Sequence, residues 1–524
     1  MGQGRRSVGQ WGVRPGVATW VLSRAILFGT ILTGTILSGT TWGQGAASSP
    51  QLHLPADRIP AENLQEYSDL AVKWMQEYLR VDTTNPPGNE MRAVEFYRKI
   101  LDQEGIENRV FEYAPGRGDL WARLPAKAVG TNSHVSQNQG DPSASSGQAV
   151  GHPRPIILLN HMDVVTSDAA HWKVPPFSGE IRNGYIWGRG AQDMKDEGLA
   201  QLVVMVMLKR EKVELDRDVI FLAVADEEVD DTGSDWFIDH QRDLLENAEF
   251  LINEGGENLL QDGAVKYVGV DVGEKTTYWM HVVAHGRPGH GSRPIADSAP
   301  NRLVRALNRI LAYQTPLRVL PVVDEFLRDM APYEPPERAA QYRNIKKAIE
   351  DKKFQEEIEN DESLNFLLRD TISLTMMGGS EQTNVIPPEA WANLDVRILP
   401  GGDPKAVLAA VQRVVNDPDV TVEPWKGEFR VANYSGTDNA LWAAIREVSA
   451  KYFPGTPVVP HITSGYTENQ RYRPLGIIAY GFNPYTATDE EGNTEHGNDE
   501  RIRVEEVRRG PRILFDVVAG VAGR

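Results

Sequence analysis

The chain has 524 residues, 41% hydrophobic and 24% charged, which is enough for two soluble cores or one large core carrying an insertion. Its 55 Lys and Arg against 73 Asp and Glu give a net charge of −18, which argues against nucleic acid as a partner because phosphate binding needs clustered cations. Cysteine is absent, which excludes a disulfide framework, a thiol nucleophile and any Cys-ligated metal.

In chain order, Arg5, Arg6, Arg14 and Arg24 come first, then the apolar run Ala25 to Leu37 and a stretch of small residues. This pattern predicts a secretory signal peptide over 1–45 and an exported protein, periplasmic or secreted. The apolar run is shorter than the ~20 residues a spanning helix needs, so no stable membrane span is expected once the signal is removed. An uncleaved anchor is the alternative, and no Cys follows the run to carry a lipid.

Apolar spacing predicts helices over Ala61–Leu79 and Arg92–Glu104. Residues 126–154 are rich in Gly, Ser, Asn and Gln without periodicity and read as a flexible insertion. Two apolar runs, Pro155 to Asn160 and Asp218 to Ala225, flank a helical pattern over Leu199–Lys209. Strand, helix, strand with fully apolar strands predicts an α/β fold with a buried, mainly parallel sheet. Further on come a strand over Tyr278–Ala284, a helix over Asn301–Tyr313, a charged helical stretch from Arg338 to Arg369 and the strand-like run 372–377. That segment reads as a second domain inserted into the first.

Both buried strands end in polar clusters, where ligands sit in such sheets. His161 and Asp163 close the first, Glu227 and Glu228 follow the second, Asp193 lies in a glycine-rich turn, Glu254 follows another apolar run and His496 comes near the end. Hard carboxylates with imidazoles and no thiolates suit Zn²⁺, with Mn²⁺ or Co²⁺ also accommodated. A bridging carboxylate can hold two ions roughly 3.5–4 Å apart, and a spare carboxylate can take a proton from the water they activate.

The ordered segments HMDVV, WKVPPFSGEIRNGYIWGRGAQDMK, DEE, NEGG, GRPGHGSRP, NVIPPEAWANLDVRILPG and HGNDERI resemble the M20 metallopeptidases, a family of glutamate carboxypeptidases, dipeptidases, aminoacylases and related deacylases. The resemblance implies two zinc ions per subunit. Asp193 would bridge them, His161 and Glu254 would complete one shell, and Glu228 and His496 the other. Asp163 would orient His161, and Glu227 would be the general base. His290 would stabilise the tetrahedral oxyanion, often in a neighbouring subunit's site, while Asn384 and Arg397 would bind substrate. For Arg397, a pair with Asp395 is the alternative. His461 stays open.

The implied architecture is a mixed, mainly parallel catalytic domain over 60–273 and 393–524. A smaller ferredoxin-like α+β lid over 274–392 would be inserted into it and would carry a homodimer contact. The implied function is hydrolysis of a peptide or N-acyl amide bond next to a free carboxylate, with an exopeptidase of carboxypeptidase type leading. An N-acyl amino acid deacylase shares the same motifs. A non-catalytic metal-binding module would be expected to lack Glu227 or a ligand, and all are present. Two departures stand out. Asp196 and Glu197 follow DMK where the family has small residues, which would alter metal preference or simply face solvent. Glu468 and Gln470 replace an Asp and an Arg in the segment 465–473.

Overall fold

A computed structural model describes residues 54–127, 153–425, 430–463 and 465–523. The expected signal peptide and most of the 126–154 insertion lie outside the described residues. Among the described residues, no helix is long and apolar enough to cross a membrane.

The helix Ala61–Leu79 forms as its spacing predicts, and the second runs over Met91–Gln103. Their apolar stripes bury Ala71, Met75, Tyr78, Tyr97 and Leu101 against the same core. Beside them an eight-stranded sheet runs, edge to edge, through Glu107–Ala114, Arg117–Leu124, Val219–Val224, Ile156–His161, Phe250–Asn253, Ile478–Gly481, Val268–Glu274 and Val458–Thr463. Val219–Val224, Ile156–His161, Phe250–Asn253 and Ile478–Gly481 are parallel neighbours, while the first two strands pair antiparallel. The central strands read as unbroken apolar runs because both of their faces are covered. The helix Lys195–Arg210 packs across this sheet and is buried from Lys195 to Leu208.

A second sheet has its own core. In chain order its long strands are Met280–His285, Thr371–Gly378, Glu389–Ile398 and Val420–Pro424, and the two-residue strand Thr276–Thr277 also pairs with Glu389–Ile398. In space Val420–Pro424 lies beside Met280–His285, then Glu389–Ile398, then Thr371–Gly378, all antiparallel. The helices Ala299–Leu311 and Pro404–Val415 pack on one face, completing the βαββαβ order of a ferredoxin-like unit.

Two sequence boundaries move. The end of the inserted domain, expected at Ala392, falls inside the strand Glu389–Ile398, and the small sheet takes its last strand from Val420–Pro424. The helices from Pro321 to Leu368 join the large core instead, through Val323, Leu327, Phe354, Ile358 and Leu367. An amphipathic pattern shows that a helix has an apolar face but not which of two cores receives it.

Candidate metal centre

The parallel strands deliver the candidate ligands to one end of the large sheet. His161 is the last residue of its strand, Glu227 and Glu228 follow Val224 after a short turn, and Glu254 follows Asn253. Asp193 sits just before the helix Lys195–Arg210, and His496 comes from a turn near the C-terminus.

Asp193 joins the two halves. Its Oδ1 lies 3.0 Å from His161 Nε2, and its Oδ2 lies 2.7 Å from His496 Nε2. Glu254 Oε2 is 3.4 Å from His161 Nε2, and Glu228 Oε2 is 3.3 Å from His496 Nε2. Thus His161, Asp193 and Glu254 form one triad and Asp193, Glu228 and His496 another, each with its ligand atoms within 4.8 Å of one another. A cation about 2.1 Å from N and O ligands at tetrahedral angles needs them about 3.4 Å apart. The side chains present therefore fit two ions that share Asp193.

Electrostatics support that fit. Burial pushes Glu254 up to about 8. Burial, then the charge of Glu254, raises Glu227 well above the carboxylate range, and burial also raises Glu228. Burial works against Asp193 too, but hydrogen bonds from His161 and His496 hold it low. His496 is lifted to about 10 by its contacts with Asp193 and Glu228. Crowded buried carboxylates leaning on two imidazoles are what divalent cations would neutralise.

Asp163 touches both the His161 ring and the turn that follows Val224. Its backbone oxygen lies 3.1 Å from His161 Nδ1, while its carboxylate accepts the backbone N–H groups of Glu227 and Glu228 at 3.1 and 3.2 Å. One residue thus holds the His161 ring through its backbone oxygen and the turn that carries Glu227 through its side chain.

That turn has supports the motifs did not reveal. Asp226 adopts φ 72°, and its carboxylate accepts from Asn85 and Arg117, each at 2.7 Å, and from Thr232. Asn85 also donates to Asp163 at 2.8 Å. The turn-rich run around Asn85 was the available signal, and it reads equally well as an ordinary loop. On the Glu254 side, Gly256 has φ 84° and its N–H donates to Asp271 Oδ2 at 2.9 Å, while His461 Nδ1 lies 2.6 Å from Asp271 Oδ1. His461 is therefore a support two bonds removed from the Glu254 loop.

A cavity of about 1250 Å³ opens over the centre. Asp193, Glu227, Glu228, Glu254 and His496 line one wall, and Tyr278, Trp279, Arg397 and Pro424 line the other. Arg397 pairs with Asp395 at 2.8 Å and also lines the cavity. His290 and Asn384 are brought together elsewhere: Gly289–His290 pairs with Val385–Ile386, both side chains are exposed, and neither residue is among those described as lining the cavity. The Ser292 N–H donates to His290 Nδ1 at 3.1 Å, which leaves Nε2 to carry the proton.

Asp196 and Glu197 do not face solvent. Both are buried in the first turn of Lys195–Arg210, where a helix N-terminus favours negative charge. Glu468 is buried and accepts from Asn253 at 2.8 Å, and Gln470 donates to the backbone of Lys275 at 3.0 Å. The cavity's cation in this segment is the next residue, Arg471, which is paired with Asp231 and Asp235.

The description "Peptidase family M20/M25/M40" matches residues 157–519. Aminoacylase-1 of Homo sapiens is 27% identical over 458 residues, covering 86% of this chain and 95% of that protein. The N-fatty-acyl-amino acid synthase/hydrolase PM20D1 of Mus musculus is 26% identical over 417 residues, covering 75% of this chain and 77% of that protein. Among solved structures, an M20 family metallo-carboxypeptidase from Sulfolobus solfataricus shares the fold with a TM-score of 0.61 at 18% identity, over 86% of this chain and 98% of that one. The family match spans every candidate ligand from His161 to His496, and the chain belongs to peptidase family M20/M25/M40 as a metal-dependent hydrolase of amide bonds.

Proposed function

We propose that the enzyme hydrolyses N-acyl amino acids, splitting the amide next to a free carboxylate into a carboxylic acid and an amino acid. The observation that carries this reading is the pair of triads sharing Asp193, with Glu227 on the same cavity wall. The motifs put an exopeptidase first. The aminoacylase-1 match, which runs along almost the whole of that relative, shifts the weight to the acyl substrate.

His161, Asp193 and Glu254 would hold one ion, and Asp193, Glu228 and His496 the other. The donor chemistry favours zinc, with manganese or cobalt also suited. Bound there, two divalent cations supply Lewis acidity toward a carbonyl and a water. Glu227 then takes a proton from the attacking water and passes it to the leaving nitrogen as the C–N bond breaks. Asp163 keeps the Glu227 backbone and the His161 ring in place. Arg397 takes the substrate carboxylate with its planar fork. His290 and Asn384 lie off the cavity of their own chain, so in this reading they serve a second copy in a homodimer, with His290 Nε2–H donating to the oxyanion. The small sheet acts as a lid. The basic and apolar N-terminal pattern supports export of the enzyme.

The test is release of free amino acid from a panel of N-acyl amino acids and dipeptides, run as prepared, after chelation and after zinc is restored. Cleavage of the acyl substrates that chelation removes and zinc returns supports the reading. Cleavage of dipeptides alone would overturn it.

A further inference from the structure

The geometry points to the open face of the small sheet as the subsite for the acyl group, and to long aliphatic chains as the acyl groups it selects. This rests on the N-acyl amino acid reading above and adds the class of acyl chain.

Side chains alternate across a sheet. Met280, Val282 and Ala284, with Ala390, Ala392, Leu394 and Val396, pack in the small core beneath the two helices. Their neighbours in the chain therefore point to the other face, which puts Trp279 and His281 beside Trp391, Asn393 and Arg397. Val420 and Val422 also lie in the core, so Trp425 belongs to the open face. The register packs these residues together. His281 stands opposite Asn393, Val283 opposite Trp391, and the Trp425 N–H donates to the Trp279 carbonyl at 2.9 Å.

The result is a row of rings that starts at the catalytic cavity. Trp279 lines the cavity wall and is 44% exposed. The His281 ring stacks on Trp425 at 4.2 Å and lies 5.8 Å from Trp391. Met376, across from Asn393, is 54% exposed and extends the row. The His281 Nδ1 is taken up by Asn393 Oδ1 at 2.6 Å. The same face carries Asp395, paired with Arg397, and the exposed Glu423 opposite His281. Its apolar area is therefore the strip of indoles and the thioether, which suits a flexible chain and which a peptide backbone, needing hydrogen bonds, would use poorly.

Arg397 and Trp425 stand on strands two apart, about 10 Å at ordinary strand spacing. A substrate can therefore set its carboxylate on Arg397 while its acyl chain leaves the cavity over Trp279 and Trp425. Trp279 to Val283 adds about 13 Å along the strand, room for an extended chain.

The test is the ratio of kcat/KM for N-lauroyl-leucine to that for N-acetyl-leucine, measured on the zinc-loaded full chain below the micelle concentration of the lauroyl compound. The expected ratio is at least tenfold in favour of lauroyl. Trp391→Ala and, separately, Trp425→Ala should each reduce it at least fivefold, mainly through KM for the lauroyl substrate, and Trp391→Leu should restore most of it. Thermal melting checks that each variant folds, and Trp391→Leu keeps the test decisive where alanine does not fold. A wild-type ratio near one, or a ratio unchanged in both folded variants, overturns the subsite while leaving N-acyl hydrolysis standing. A variant that turns a dimer into a monomer with the ratio intact also overturns it, because the face would then be an interface between copies. Cleavage of neither substrate would remove the N-acyl reading and this inference together.

Discussion

His161 ends a central parallel strand with its side chain fully buried, whereas His496, its counterpart across Asp193, sits on a turn at φ 53° with its side chain 54% exposed. The same contrast runs through their partners. Glu254 follows a buried strand, and the loop after it is tied by Gly256 and Asp271 to His461. On the other side, Glu228 hangs from the turn around Asp226, which is held from outside by Asn85 and Arg117. Similar ligand chemistry is thus mounted on two different frames. The half built into the sheet inherits its rigidity, and the other half depends on loops, which open more readily. The ion at His496 should exchange first.

The shared ligand offers the largest effect. Asp193→Asn should strip both halves together, taking activity to background and bound metal well below one ion per chain. If one ion stays tightly bound, the two halves do not depend on a common bridge. Next comes the base. Glu227→Gln should lower kcat by about 10²–10⁴-fold with metal content unchanged. Near-normal turnover in a fully loaded variant would remove Glu227 from proton transfer.

The two histidines separate the halves. His161→Ala should lose metal and also destabilise the metal-free protein by about 2–3 kcal/mol, because it empties a fully buried position among carboxylates. His496→Ala should lose metal too, but change metal-free stability by no more than about 0.5 kcal/mol. Equal melting shifts in the two variants would break the contrast between frames.

The smallest effect concerns the support behind Glu254. Burial opposes the charge on His461, but Asp271 more than offsets it and raises the pKa above its usual value. A raised histidine stabilises fully below its unfolded pKa, about 6.5, and that contribution fades as pH rises through the folded value. Metal-free melting temperature should therefore fall as pH rises from 6.5, and His461→Asn should flatten that fall. An identical pH profile in the variant would show that the pair carries no such linkage.

Much of this contrast was legible in the sequence, and unevenly. The buried half could be read because unbroken apolar runs ending in His161 and Glu254 are what a covered parallel strand requires. His496 entered the candidate set only as a distant histidine, and its pairing with Glu228 came from the resemblance of its segment, since nothing periodic surrounds it. Asn85, Arg117 and Asp271 stayed hidden because their work lies in contacts between residues far apart in the chain, which local pattern does not encode. The boundary near Ala392 failed for a related reason. Alternation marks Glu389–Ile398 as a strand but does not say which sheet it joins. The row of Trp279, Trp391 and Trp425 emerges only once three separated strands are aligned.

The central claim is that two ions bridged by Asp193 drive amide hydrolysis. It is tested most directly by adding zinc stepwise to the chelated protein while measuring bound metal and release of amino acid from an N-acyl amino acid. The account predicts two ions per chain, the first held more tightly and the second lost first on dialysis against a weak chelator, with activity following the second. Full activity in metal-free protein, or at one ion per chain with no gain from the next, would contradict it.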